Sequence, residues 1–162
     1  MKSNNLIFKL TYYKEHANIH SNLNDFLINM HYNFFIVNKI GLLIYEKKFP
    51  GSAQLDSSDL ICFGATVGAL HLISSIVTPP GLRKSGLKTI TSKYFKLCCY
   101  QTQTEIKFCL VSDPNTVDME KLCKNVYQFY SDFVLKNPFY ELDQQIRFDG
   151  FDRAIEKLFG VR

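Results

Sequence analysis

Cysteine and histidine are the side chains in this sequence best suited to nucleophilic, acid–base or metal chemistry, and their spacing supports none of it. Cys62, Cys98, Cys99, Cys109 and Cys123 are odd in number, form no C-x-x-C pair and match no zinc spacing. Four of the five sit in apolar runs, where a free thiol acts as a small hydrophobe and a reducing compartment fits best. His16, His20 and His31 fall in or beside an Asn-rich N-terminal stretch, and His71 lies in an apolar segment, where a structural histidine is expected. Pairing His71 with Cys99 or Cys109 has no motif behind it. No two carboxylates stand in an acid–base setting. The expectation is a protein without an active site, metal or cofactor of its own.

The stretch Gly81-Leu82-Arg83-Lys84-Ser85-Gly86-Leu87-Lys88-Thr89 approaches a phosphate-binding loop, but Leu87 stands where the lysine must follow the second glycine. A helix rather than a strand is expected before it, so the geometry fails twice. Arg83, Lys84, Lys88, Lys93 and Lys96 nonetheless occupy a span with no acid between Asp59 and Glu105. That composition fits a basic surface for anionic lipid or an acidic partner, or simply a solvated loop. It lacks the interleaved aromatics of a nucleic-acid platform, and a net charge of +4 is modest for one.

The 162 residues, 46% hydrophobic and 21% charged, are ordinary for one globular domain and exclude wholesale disorder, collagen and coiled coil. Residues 1–32 hold no sustained period and read as an extension; Leu6-Ile7-Phe8 stops at Lys9, too short for a secretory signal. The ordered domain is expected over 33–162. Strands are predicted at Asn33–Asn38 and Leu42–Lys47, joined by Lys39-Ile40-Gly41. A helix capped by Ser57 or Ser58 runs to about Val77 and stops at Pro79-Pro80. A weak strand at Leu87–Thr91 and stronger ones at Tyr94–Gln101 and Glu105–Ser112 follow. One helix then spans about Val117–Lys136, with Leu122, Val126, Phe129, Phe133 and Val134 as its buried stripe, and another about Gly150–Phe159. The order β-β-α-β-β-β-α-α implies an α+β fold: an antiparallel sheet with the first helix on one face and the last two on the other.

From Leu60 to Leu82 no residue is charged. Its glycine, serine and histidine content makes the run short and polar for a membrane span, so a helix with two apolar neighbours is expected. One neighbour is the sheet. Gly64, Gly68, Ala65 and Ala69 leave a smooth face where a second subunit can approach. Asn137-Pro138-Phe139 spells a short ligand for an endocytic adaptor domain. Its place behind an amphipathic helix predicts instead a helix stop, with Phe139 and Tyr140 tucked into the core.

FKLCCYQTQTEIKF (95–108) and YQFYSDFVLKNPFY (127–140), with NFFIVNKIGLLIY (33–45), resemble the synbindin-type subunits, in the sedlin/synbindin family, of the transport protein particle complex (TRAPP). The tail from Ile146-Arg147-Phe148 to Leu158 is similar to that family's last helix. The resemblance implies a longin-like (profilin-like) fold and a core, non-catalytic subunit of a vesicle-tethering complex. Such a subunit pairs with a second longin-like subunit beside a palmitoylated-type core subunit. Together they exchange guanine nucleotide on a Rab-family GTPase in ER-to-Golgi and intra-Golgi transport. A cytoplasmic location, peripheral to ER and cis-Golgi membranes, is implied with it. The shared run places the GTPase contact at Asp132, Lys136, Asn137 and Pro138. Animal members carry a PDZ-like insertion between the first hairpin and the first helix; Phe49–Ser58 bridges that gap in ten residues here. A small adaptor-type chain of a vesicle coat, without exchange activity, is the other reading open at this point.

Overall fold

The computed structural model describes residues 30–79, 81 and 86–160. The expected N-terminal extension lies outside them up to residue 29, as do Arg83 and Lys84. Strand β1 (His31–Val37) begins two residues earlier than expected. Phe34 and Ile36 enter one core and Phe35 the other, so the strand reads as a continuous apolar run rather than an alternating one. The fully buried Asn38 then turns the chain: its Oδ1 accepts from the N–H groups of Ile40 (3.2 Å) and Leu42 (2.8 Å). Gly41 takes a φ of +89°, open to glycine without a Cβ penalty. β2 (Leu43–Lys48) pairs back antiparallel.

Helix α1 (Ser57–Ile76) is capped by Asp56, not by either serine. The Asp59 N–H donates to Asp56 Oδ1 at 2.8 Å and the Asp56 N–H donates to Asp59 Oδ2 at 3.2 Å. This reciprocal box satisfies two backbone donors that would otherwise end the helix unpaired; Ser57 and Ser58 lie inside it. β3 (Thr89–Thr91), β4 (Lys96–Gln101) and β5 (Lys107–Ser112) form the expected meander. The five strands run β2-β1-β5-β4-β3, antiparallel throughout.

The long helix expected over 117–136 is two segments. Helix α2 (Met119–Phe129) passes into a π-helical stretch, Tyr130–Leu135. The wider turn changes the phase of the buried stripe, which runs Met119, Cys123, Val126, Tyr130, Val134. Phe133, expected on that stripe, is 42% exposed. Its ring meets Phe129 edge-on at 6.4 Å and lies over Gly150, where a Cβ would come within 3.3 Å of it.

Helix α3 (Asp149–Phe159) buries Phe151 and Ile155. The Tyr45 hydroxyl donates to Asp152 Oδ1 at 2.6 Å, Lys47 pairs with Glu156 at 2.6 Å, and the Phe151 ring meets Tyr45 edge-on at 4.9 Å. Burial and then Asp152 push the Tyr45 hydroxyl well above its ordinary pKa, so it remains a donor. One core joins α2, the π stretch and α3 to Phe34, Phe108 and Leu110. The other sets Val67, Leu60 and Phe63 of α1 against Phe35, Leu97, Cys99 and Cys109. This is the expected longin-like layering, with one helix on one face and the later helices on the other.

Candidate functional site

Helix α1 packs by a narrow stripe. Gly64, Val67 and His71, at steps of three and four, are its buried residues. Ile61, Leu72, Ile73 and Ile76 are each more than half exposed, and Ala65 and Ala69 lie open between them. The helix is long and apolar enough to cross a membrane by length and composition alone. Its buried stripe seats it on the sheet, against Phe35, Leu97 and Cys109. A soluble domain seldom leaves so broad an apolar face uncovered without a partner for it.

The small residues divide between two tasks. Gly64 faces inward: a Cβ there would lie 2.5 Å from the Gly41 carbonyl oxygen of the β1–β2 turn. Gly68 is looser, with a Cβ position 3.8 Å from Gly41 Cα. Gly64 and Gly68 therefore let this chain's own hairpin settle on α1, while Ala65 and Ala69 face outward. At the hairpin tip, on either side of Gly41, Ile40 is 76% exposed and Leu42 half-exposed. Sequence reasoning singled out the small residues and missed these larger ones; the uncharged run from Leu60 was the available signal.

On the opposite face, Asp132 and Lys136 are brought together as an exposed i,i+4 ion pair at 2.6 Å. Asn137 follows the π stretch, just past its C-cap Lys136. Its Oδ1 accepts from the Phe139 N–H at 3.0 Å, and its carbonyl accepts from the Tyr140 N–H at 3.1 Å. With Phe133, Arg147, Phe148, Asp149 and Gly150 it lines an open groove of about 450 Å³. Pro138 is exposed, and Phe139, expected in the core, is 90% exposed. Pro138 stops the helix as expected, but the Asn137 turn throws the next side chain outward. Tyr140 alone goes inward, half-buried and edge-on to Phe148 at 5.9 Å.

Lys88 and Lys93 are exposed but flank opposite ends of β3, and Lys93 Nζ lies 5.5 Å from the Tyr94 ring centroid. Lys96 donates to the Thr116 carbonyl at 3.2 Å. The thiols pair with each other rather than with histidine: Cys109 Sγ and Cys99 Sγ are 3.8 Å apart under α1. The bond from Cys109 holds the Cys99 thiol below its ordinary pKa, and Cys109, fully buried, is driven well above it. His71 faces the Gln101 side chain and the Leu87 backbone, and burial lowers its pKa. Neither arrangement assembles a nucleophile with a base.

Comparison with known proteins adds a family. Residues 31–161 match the Sybindin-like family. The chain is 44% identical over 130 residues to trafficking protein particle complex subunit 4 of Dictyostelium discoideum, covering 80% of this chain and 96% of that one. Against subunit 4 of Homo sapiens it is 37% identical over 106 residues, 65% of this chain and 48% of the human one. The chain thus spans nearly all of the first relative and about half of the second. It is also 30% identical over 131 residues to subunit 1 of the Dictyostelium discoideum complex, covering 75% of this chain and 89% of that one.

Proposed function

The chain belongs to the Sybindin-like family, and from that premise we propose that it is a subunit of a trafficking protein particle complex whose α1 face seats a second longin-like chain. The carrying observation is the uncovered apolar surface of Ile61, Leu72, Ile73 and Ile76, beside a hairpin tip on which Ile40 and Leu42 are also exposed. Its similarity to two differently numbered subunits of one Dictyostelium complex supports a partner of the same fold.

In that assembly the subunit adds, beside a palmitoylated-type core subunit, to a surface that exchanges guanine nucleotide on a Rab-family GTPase in ER-to-Golgi and intra-Golgi transport. Exchange needs no covalent step. A surface that binds the nucleotide-free GTPase better than the loaded one shifts its population. Asp132, Lys136, Asn137 and Pro138 are the proposed contact, on the sheet face that a partner on α1 leaves open. Lys88 and Lys93, with Arg83 and Lys84 in the same stretch, suit a weak contact with anionic lipid. The setting is cytoplasmic, peripheral to ER and cis-Golgi membranes.

The test is release of fluorescent GDP from a Rab-family GTPase by the assembled complex, with and without this subunit. Acceleration that needs the subunit, and that falls with Asp132→Ala and Lys136→Ala, is expected. An exposed ion pair adds little to stability, so those variants still fold. Equal release without the subunit, or its recovery with large adaptor chains of a coat, would overturn the proposal.

A further inference from the structure

The geometry points to a second role for the Asn137–Tyr140 turn: a docking knob for an adaptor domain whose apolar pocket admits an Asn-Pro-Phe turn. The turn is closed by its own residues, Asn137 Oδ1 accepting from the Phe139 N–H at 3.0 Å and the Asn137 carbonyl from the Tyr140 N–H at 3.1 Å. Pro138 fixes its own φ within it. The turn is held from behind: Tyr140 packs edge-on to Phe148 at 5.9 Å, and its hydroxyl donates to the Gln144 carbonyl at 3.1 Å.

Phe139 is left 90% exposed, more than any other large apolar side chain among the described residues. Such a ring contributes little to folding. Presented on a preset turn, it costs little to order on binding, and buried aromatic anchors dominate interface energetics. The Asn137 amide NH2 supplies two donors that the turn does not use.

The surroundings select the occupant. Lys136, Glu141, Asp143 and Gln144, close to the ring in sequence, are exposed, and such mixed charge beside an apolar anchor suits a protein pocket. The two acids oppose an anionic membrane. The turn lies on the sheet face away from α1, so a partner on that helix leaves it open. A single ring gives a weak contact, useful where many copies meet on one membrane. Because Asn137 and Pro138 also belong to the proposed GTPase contact, the two occupants exclude each other.

The experiment titrates the full chain, assembled with its partner subunits, against a purified adaptor domain that recognises Asn-Pro-Phe turns. Saturable binding, competed by a synthetic Asn-Pro-Phe peptide and weakened at least ~10-fold by Phe139→Ala, is expected. The thermal midpoint of that variant should match the unsubstituted chain, since the ring packs on nothing. Absence of binding, or binding indifferent to Phe139→Ala, overturns the inference. Loss of GDP release in Phe139→Ala without adaptor binding also overturns it, and leaves the exchange reading standing.

Discussion

The carbonyl oxygen of Gly41 lies 2.5 Å from the point where a Cβ on Gly64 would stand. One residue sits at the tip of the first hairpin and the other less than a turn before the middle of α1. Their contact fixes where the hairpin, with the exposed Ile40 and Leu42 at its tip, crosses the helix. The two glycines that look alike in the sequence differ in what they tolerate.

Gly64→Ala should therefore destabilise the chain by about 1–3 kcal/mol, because backbone rather than a flexible side chain blocks the new methyl group. Gly68→Ala, with its nearest neighbour at 3.8 Å, should be neutral or slightly stabilising, since alanine suits a helix better. Urea unfolding of the two variants checks the difference.

The cap of α1 gives a second contrast. Asp56→Ala removes the acceptor for the Asp59 N–H and should cost about 1 kcal/mol. Ser57→Ala and Ser58→Ala should stay within about 0.5 kcal/mol of the unsubstituted chain. Equal costs at Asp56 and Ser58 would return the cap to the serine.

Stability should fall in mild acid. Burial lowers the pKa of both His71 and His31 from the ordinary 6.5; at His71 the Gln101 side chain opposes this, Lys107 adds to it, and the net direction is down. The unfolded chain then takes up protons near pH 6.5 while the folded one resists until lower pH. The stability is present in full above 6.5 and is lost as pH drops below it. Unfolding midpoints at pH 7.5 and 5.5 should differ in that direction, and His71→Gln should shrink the difference. Gly86→Ala should disturb the same site, because its Cβ would run into the His71 imidazole.

Much of this architecture is legible in the sequence because burial repeats. FFIV (34–37) is apolar on every residue and becomes a strand covered on both sides, and Phe151, Ile155 and Phe159 keep the helical step into the core. What was not legible lacks a period. The π stretch inserts its extra residue without any change of composition, so Phe133 looked like core. Asp56, Ser57 and Ser58 are all capable caps, and only the backbone decides among them. Proline marks where a helix ends but not where the next side chain points, which is why Phe139 was expected inside. The outer face of α1 was foreshadowed by its missing charges, while the crossing of the hairpin over α1 depends on the Gly41–Gly64 contact, which has no period.

The outer face itself can be separated from the fold. Ile61→Glu and Leu72→Lys place charges on exposed positions, each matched to the nearer end of the helix dipole. Unfolding free energy should move by no more than about 0.5 kcal/mol, while binding to a second longin-like chain should weaken at least ~10-fold. Co-expression followed by size-exclusion chromatography reads the binding, and urea unfolding of the isolated chain reads the stability.

The most direct measurement is mass spectrometry of the proteins that co-purify with the tagged full chain from its native cytosol, beside the Ile61→Glu, Leu72→Lys variant. A second longin-like chain and a palmitoylated-type core subunit should be recovered with the unsubstituted chain and lost with the variant. Recovery of the chain alone, of large adaptor chains in their place, or of the same partners with the variant would contradict the role assigned to α1.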